Sequence, residues 1–375
     1  MTETSRMLRS TVTNEGQVRL TLVDEQVPEP GPDEVVVAVE ASPINPSDLG
    51  MLLAGANPDS LVAEGDALVG QLGASSVQAN TARLGAPMPA GNEGSGTVIA
   101  AGSSDGAQAL MGKRVAALSG AMYATHSKVS VAMCVEMPET VTAEQAASCF
   151  VNPLTALGMT ETMRMEGHTA LVHTAAASNL GQMLQRICIA DGIALVNVVR
   201  KAEQVDLLRS QGAEWVVDSS SDSFRDDLTD ALAATGATIA FDAIGGGQQV
   251  DALLECMEKA VSRGAGFSRY GSDTHKQVYV YGGLDRSPTP LTRSYGMSWG
   301  VGGWLLTPFL GRIGLDGLMR LRDRVTAEIS TTFASHYAET ISLDEMLDPE
   351  VARRYAVPTT GEKRLVAPGN GSVPS

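Results

Sequence analysis

The stretch Leu171-Val-His-Thr-Ala175-Ala-Ala-Ser178-Asn179-Leu180-Gly181 constrains this chain more than any other. It reads as an apolar strand, a tight turn of small residues and the start of a helix. A second strand, Ala194-Leu-Val-Asn-Val-Val199, follows and ends at Arg200. The pattern then repeats. Trp215-Val-Val-Asp218, Thr238-Ile-Ala-Phe-Asp242 and Val278-Tyr-Val-Tyr281 read as further strands, and helical periodicity fills 180–191, 202–211 and 222–234. Strands and helices alternating at this spacing imply right-handed crossovers and a parallel sheet with helices on both faces.

The first turn has the chemistry of a dinucleotide site. A pyrophosphate needs backbone N–H groups at a helix N-terminus and no bulky side chain in the way. Ala175, Ala176, Ala177 and Ser178 are small, Asn179 tolerates left-handed geometry, and Gly181 permits close helix–strand packing. Of the full G-x-G-x-x-G pattern only this last glycine remains, so packing alone is the competing reading of the turn. An acid at the tip of the second strand favours NAD, and a cation favours the 2′-phosphate of NADP. Here the tip carries Arg200 and Lys201, with no acid before Glu203.

With 375 residues the chain is long enough for two domains, and its net charge of −16 argues against a nucleic-acid partner. No apolar run reaches eighteen residues, so no membrane span is expected. The first ten residues lack an apolar core and do not read as a secretory signal. Cys134, Cys149, Cys188 and Cys256 are scattered with no C-x-x-C, as expected of reduced, buried thiols in a cytoplasmic protein. Composition shifts near Asn152-Pro153 from a mainly β region, with strands over 17–40 and 93–135, to the alternating region. A helix over about 314–329 follows, and the tail from Ile341 to Val366 reads as short β or turn structure able to rejoin the first domain. Residues 54–89 show no strong period and read as a partly helical excursion near the active site.

Motifs in order along the chain support a resemblance. They are Pro43-Ile-Asn45-Pro46-Ser-Asp48, Gly91-Asn92-Glu93-Gly94-Ser-Gly96, Val151-Asn152-Pro153-Leu-Thr155-Ala156, Asn197-Val-Val-Arg200, Phe241-Asp-Ala-Ile-Gly-Gly246, Tyr281-Gly282-Gly-Leu284 and Gly361-Glu-Lys363-Arg-Leu-Val366. Together they resemble the medium-chain dehydrogenase/reductase superfamily, in its zinc-independent quinone-reductase and enoyl-thioester-reductase branch. The resemblance implies an α/β protein: a GroES-like, mainly-β catalytic domain over 1–152 and 330–375, and a Rossmann NADP-binding domain over 153–329. It places the active site in the cleft between them.

It also implies roles. Asn45 and Thr155 are the expected catalytic residues, lining the substrate and nicotinamide. NADP(H) is the expected cofactor, held by Ala175, Ala176, Ser178, Asn179, Leu180, Gly181, Arg200, Lys201, Tyr281, Gly282 and Lys363. Lys363 would approach the cofactor or close the domain. Asp242 would either face the cofactor or cap the next helix. Zinc relatives use a Cys and the His of a G-H-E motif. Asn45 stands in the first region here and Asn92 replaces the His, and amides are poor zinc ligands. The expectation is therefore a metal-free, homodimeric enzyme that transfers hydride to an activated C=C bond or a quinone of a small molecule. The alternative is an NADPH-binding sensor or regulatory protein with little turnover. Enoyl thioester reductases carry a catalytic Tyr between the first two motifs, but residues 49–90 contain none. Tyr123 is the nearest substitute, and its setting matches a structural or cofactor-side aromatic. The run from Tyr295 to Leu306 reads as a dimer or cleft segment, or as an ordinary packed loop and helix start.

Overall fold

The computed structural model describes residues 4–357, 360 and 363–370. The chain divides into two units, one holding the residues up to Val151 and those from Val325 onward, the other Asn152–Arg324.

The first unit opens with β1 (Thr4–Val12), β2 (Gln17–Gln26) and β3 (Glu34–Pro43), then α1 (Pro46–Leu53). β4 (Val62–Glu64), β5 (Ala67–Gln71), α2 (Ala74–Ala79) and β6 (Met88–Pro89) follow. β7 (Glu93–Ala101), α3 (Asp105–Leu110), β8 (Arg114–Leu118), β9 (His126–Ser130), β10 (Cys134–Glu136) and α4 (Ala143–Ala146) complete this part. Two sheets result, one ordered β4-β5-β2-β1-β6 and one built on β10-β8-β7-β3 with β9 also on β3. Alternating burial along β1 and β2 sends Leu8, Val12, Val18 and Leu20 into one core, and Val35, Val37, Val98 and Val115 fill another.

Residues 54–89 are partly helical, as expected, through α2 and short helical turns at Pro58–Ser60 and Thr81–Arg83. Their main feature is the hairpin β4–β5, which extends the first sheet by pairing β5 with β2. Its turn is Gly65-Asp66, with Gly65 at φ +64°. Ala67, Leu68, Val69 and Gly70 are all buried, so the strand has no polar alternation to betray it.

The second unit takes its first helix from α5 (Val151–Met165). β11 (Ala170–Thr174), α6 (Asn179–Asp191), β12 (Ala194–Val199), α7 (Ala202–Ser210), β13 (Trp215–Asp218), α8 (Phe224–Thr235), β14 (Ile239–Asp242) and α9 (Gln249–Val261) then alternate as the sequence predicts. β15 (Lys276–Val280) and β16 (Trp299–Gly303) finish the sheet, and α10 (Leu306–Ala327) follows, broken at Gly314 where φ is +68°. All six strands are parallel, in the order β13-β12-β11-β14-β15-β16. β11, β12 and β14 are almost wholly buried on both faces, which explains their mainly apolar sequences. β16 lies in the run that the sequence leaves between a loop and a dimer segment.

The chain then returns to the first unit with β17 (Glu339–Ile341), α11 (Pro349–Ala356) and β18 (Arg364–Val366). β18 pairs antiparallel with β3 and parallel with β17, so the tail completes the sheet begun by the N-terminal half.

Candidate functional site

Numbered along the sheet, the second unit's order is 3-2-1-4-5-6. Connections leave β11 and β14 in opposite directions, which opens a crevice at their carboxyl ends. The predicted turn sits there. Ala175 takes φ +51°, and Ala176 and Ala177 are fully buried. The Ser178 hydroxyl caps α6 by accepting the Gly181 N–H at 3.1 Å. A Cβ on Gly181 would lie 2.1 Å from the Ala176 carbonyl oxygen, so only glycine fits. The N-terminal turn of α6, with Asn179 and Leu180, thus points its N–H groups and positive dipole end at the crevice.

Arg200 and Lys201 follow directly on β12, both exposed. The Arg200 backbone N–H donates to Gln204 Oε1 at 3.1 Å, which fixes the start of α7. On the other side of the switch point, Asp242 is fully buried. Its carboxylate accepts from the Thr174 hydroxyl (2.7 Å) and from the N–H groups of Ile244 (3.2 Å) and Gly245 (2.8 Å). It shapes the turn after β14 and does not cap α9, whose N-cap is Gln248. That turn packs on the one after β15. A Cβ on Gly282 would meet the Ala243 carbonyl oxygen at 2.6 Å.

Tyr281 is pinned from below. Its hydroxyl lies 2.7 Å from His173 Nε2, and the rings stack at 5.7 Å. His173 is buried in β11, and burial lowers its pKa to about 3, so the ring is neutral. Its Nδ1 has no partner among the described residues. Because the folded pKa lies below the ordinary one of about 6.5, this group's stabilisation is complete above 6.5 and is lost as pH falls toward 3. Thermal melts should therefore show stability falling through that window, and His173→Gln should flatten the fall. A variant with the wild-type slope would contradict the assignment.

Sequence reasoning missed a cavity of about 320 Å³ beside these turns, lined among others by Ser219, Phe224, Ile244, Gly246, Gln249 and Asp285. Gln249 Nε2 is buried there with no partner among the described residues.

The first unit gathers a different set. Asn45 and Asp48 stand at the start of α1, and Glu93 opens β7. Asn45 Nδ2 donates to Glu93 Oε1 at 2.9 Å, and the Asn45 N–H donates to Asp48 Oδ2 at 2.8 Å. The Asn92 N–H donates to the other Asp48 oxygen at 2.8 Å. Glu93 Oε2 accepts the N–H groups of Phe150 (2.8 Å) and Val151 (2.9 Å). Desolvation pushes both carboxyls up, Asp48 to about 7. Lys363 Nζ donates to Ser148 Oγ at 2.7 Å, and burial draws its pKa down to about 8 against the opposing pull of Glu93 and Asp48. Tyr123 is fully buried with its hydroxyl donating to the Pro43 carbonyl at 3.1 Å. Thr155 is buried on α5 in the second unit.

A doubly wound parallel sheet joined in one chain to a mainly-β unit is an architecture with counterparts among known proteins. No family model matches the chain. A mouse (Mus musculus) synaptic vesicle membrane protein VAT-1 homolog is 29% identical over 183 residues, 48% of this chain and 44% of that protein. The mitochondrial enoyl-[acyl-carrier-protein] reductase of Rattus norvegicus is 28% identical over 191 residues, 49% of this chain and 44% of that one. The chain thus spans about half the length of the curated relatives it matches.

Among solved structures, a proposed NADPH:quinone reductase from Mesorhizobium loti superposes with a TM-score of 0.73 at 23% identity, covering 98% of this chain and 99% of that one. A mycobacterial protein complexed with NADPH gives 0.69 at 19%, covering 97% and 100%. The chain shares its fold with these solved reductase structures, and over about half its length it is similar in sequence to the enoyl-[acyl-carrier-protein] reductase and the VAT-1 homolog.

Proposed function

We propose that this protein is an NADPH-dependent, zinc-free reductase of activated C=C bonds or of quinones. The observation that carries the reading is the Ser178-capped, Gly181-packed turn at the switch point of the sheet, with Arg200 at the tip of the adjoining strand. The turn from Ala175 to Gly181 holds the pyrophosphate on the α6 N-terminus. Arg200 and Lys201 meet the 2′-phosphate. Tyr281 and Gly282 border the nicotinamide side, and the unpartnered Gln249 amide beside Ile244 suits a ring nitrogen of the adenine. When bound, the cofactor supplies hydride. Asn45, held by Glu93, and Thr155 are the proposed catalytic residues by the resemblance.

Zinc-free chemistry is supported by the donor set. Asn92, standing where zinc relatives carry a His, is an amide whose Nδ2 donates to Ser47 Oγ at 3.2 Å, and amides are poor zinc ligands. Homodimer assembly is part of the proposal. β16 forms an edge of the sheet, and Val301 and Leu305 near it are exposed. A cytoplasmic setting is proposed as well, on the free, buried cysteines Cys134, Cys149, Cys188 and Cys256. No described helix is long and apolar enough to cross a membrane.

One observation favours the second reading, a nucleotide-binding sensor with little turnover. Tyr123, the substitute for the missing tyrosine, is sealed in the core. Assay of NADPH and NADH oxidation against quinones, enones and short enoyl thioesters decides between them, on protein shown by light scattering to be a dimer. Turnover of one acceptor class with NADPH is the expected result. Tight NADPH binding without turnover would move the assignment to the sensor.

A further inference from the structure

We propose that the cavity beside the turns after β13 and β14 selects the base of the dinucleotide, with Gln249 as donor and Asp285 as acceptor, and prefers a 6-aminopurine to a 6-oxopurine. The inference rests on the dinucleotide reading above and adds base selectivity to it.

The cavity lies wholly within the second unit, between the two anchors of that reading. On one side the Ser219 N–H donates to the Val199 carbonyl at 2.7 Å, so this wall stands against the strand tip that carries Arg200. On the other side the Ile244 N–H donates to Asp242, whose carboxylate also accepts from Thr174, the residue before the Ala175 turn. A dinucleotide with its pyrophosphate on α6 and its ribose at Arg200 brings its base to this place. Phe224, Ile244 and Ala252 give the cavity apolar surface, and its volume of about 320 Å³ has room for a bicyclic ring.

The charges around the cavity suit a neutral ring rather than a phosphate. Arg225, the cation among its described lining residues, is already paired with Glu255 and faces Asp251. Asp285 lies over the residues that lead into α9. A Cβ on Gly246 would stand 2.8 Å from Asp285 Oδ1, and one on Gly247 would stand 3.2 Å from Oδ2. The Ser287 N–H donates to Oδ1 at 2.8 Å, and with the Ser287 hydroxyl it holds this carboxyl below the usual range. A carboxylate here repels an anion and accepts from an amine.

Gln249 supplies the complement. It stands on the first turn of α9, and its Nε2 is buried with no partner among the described residues. A buried donor left unmade is costly, and a ligand acceptor removes that cost. Adenine offers an exocyclic amine beside a ring-nitrogen acceptor, which is the pattern that one acceptor and one donor read. Hypoxanthine carries a carbonyl oxygen in place of the amine. That oxygen would meet the Asp285 carboxylate, acceptor against acceptor.

The test is calorimetric titration of the full chain with NADPH and with nicotinamide hypoxanthine dinucleotide phosphate, which differs from it at the 6-position of the base. NADPH should bind about 5- to 100-fold more tightly, the range of one good base-reading contact. Gln249→Leu should weaken NADPH and narrow the gap. Asp285→Asn keeps an oxygen for the Ser287 N–H and adds a donor, so the hypoxanthine analogue should gain about ten-fold relative to NADPH. Equal affinity of the unaltered protein for the two dinucleotides overturns the base selectivity and leaves the cofactor assignment standing. An equal loss of both affinities in Asp285→Asn also overturns it, by making the residue a support of the turn alone. No binding of either dinucleotide overturns both readings. If Asp285→Asn does not fold, an unchanged affinity ratio in Gln249→Leu overturns the selectivity.

Discussion

Gly181→Ala is expected to weaken NADPH binding at least ten-fold and to lower the melting temperature by several degrees. The added methyl would lie 2.1 Å from the Ala176 oxygen, 2.6 Å from its carbonyl carbon and 2.8 Å from its Cα. These are backbone atoms, so no rotamer change relieves the clash. Ala176 itself is fully buried, and its N–H donates to the Val198 carbonyl at 3.2 Å, which ties the turn to β12. The helix must therefore move off the turn, and Gly181 must give up the N–H it donates to Ser178. Overpacking of this kind costs about 1–3 kcal/mol, which in a chain of this size is worth several degrees. The same displacement pulls the α6 N–H groups off the pyrophosphate. Gly311→Ala is the control. It lies on α10 with nothing near its missing Cβ, so its melting point should hold or rise. Calorimetric titration of both variants decides the matter. Unchanged NADPH affinity in Gly181→Ala would remove the turn from the cofactor site.

The alternating half of the chain was readable because β11, β12 and β14 are buried on both faces and the helices between them are amphipathic. Trp215–Asp218 and the three helices after β11, β12 and β13 fall within two residues of their predicted ends. β16 was hidden by its own sequence. Trp299-Gly-Val-Gly-Gly looks like a loop, yet a Cβ on Gly300 would lie 2.4 Å from Gln277 Oε1. The glycines are there to let neighbouring side chains lie across the strand, a tertiary requirement with no local signature. The hairpin of 62–71 escaped for the opposite reason. Its turn, Gly65-Asp66, was a usable signal, but the buried strand beside it is made of small and apolar residues alone.

The candidate site divides the same way. The sequence marked Ser178 only as a small turn residue, and the structure adds its role as the cap of α6, where its hydroxyl accepts the Gly181 N–H. Asp242 had two sequence readings, and neither described the turn it holds through Thr174, Ile244 and Gly245. The partnership of Lys363 with Ser148 spans 215 positions, and the Gln249 cavity depends on turns from three strands. Such arrangements exist only after the sheets assemble, so spacing along the chain carries no trace of them.

Arg200→Asp is expected to weaken NADPH by roughly 1.5–3 kcal/mol, about ten- to a hundred-fold, while leaving NADH affinity unchanged or improved. The residue is exposed just past the end of β12, and its backbone N–H bond to Gln204 does not involve the side chain. The substitution should therefore leave the folding stability within about 0.5 kcal/mol of the wild type. A 2′-phosphate is close to dianionic at neutral pH. Exchanging a guanidinium for a carboxylate replaces attraction by repulsion, and an acid at this strand tip suits a ribose hydroxyl instead. The chain's net charge of −16 makes the local cations matter more, because the surrounding field already opposes an anion. Raising salt should accordingly narrow the gap between NADPH and NADH in the wild type, since an exposed pair is screened. Lys201→Asp should repeat the effect at smaller size if the ammonium shares the phosphate. Equal NADPH affinity before and after Arg200→Asp would place the 2′-phosphate away from β12 and leave the Ser178 turn as the sole support for a dinucleotide.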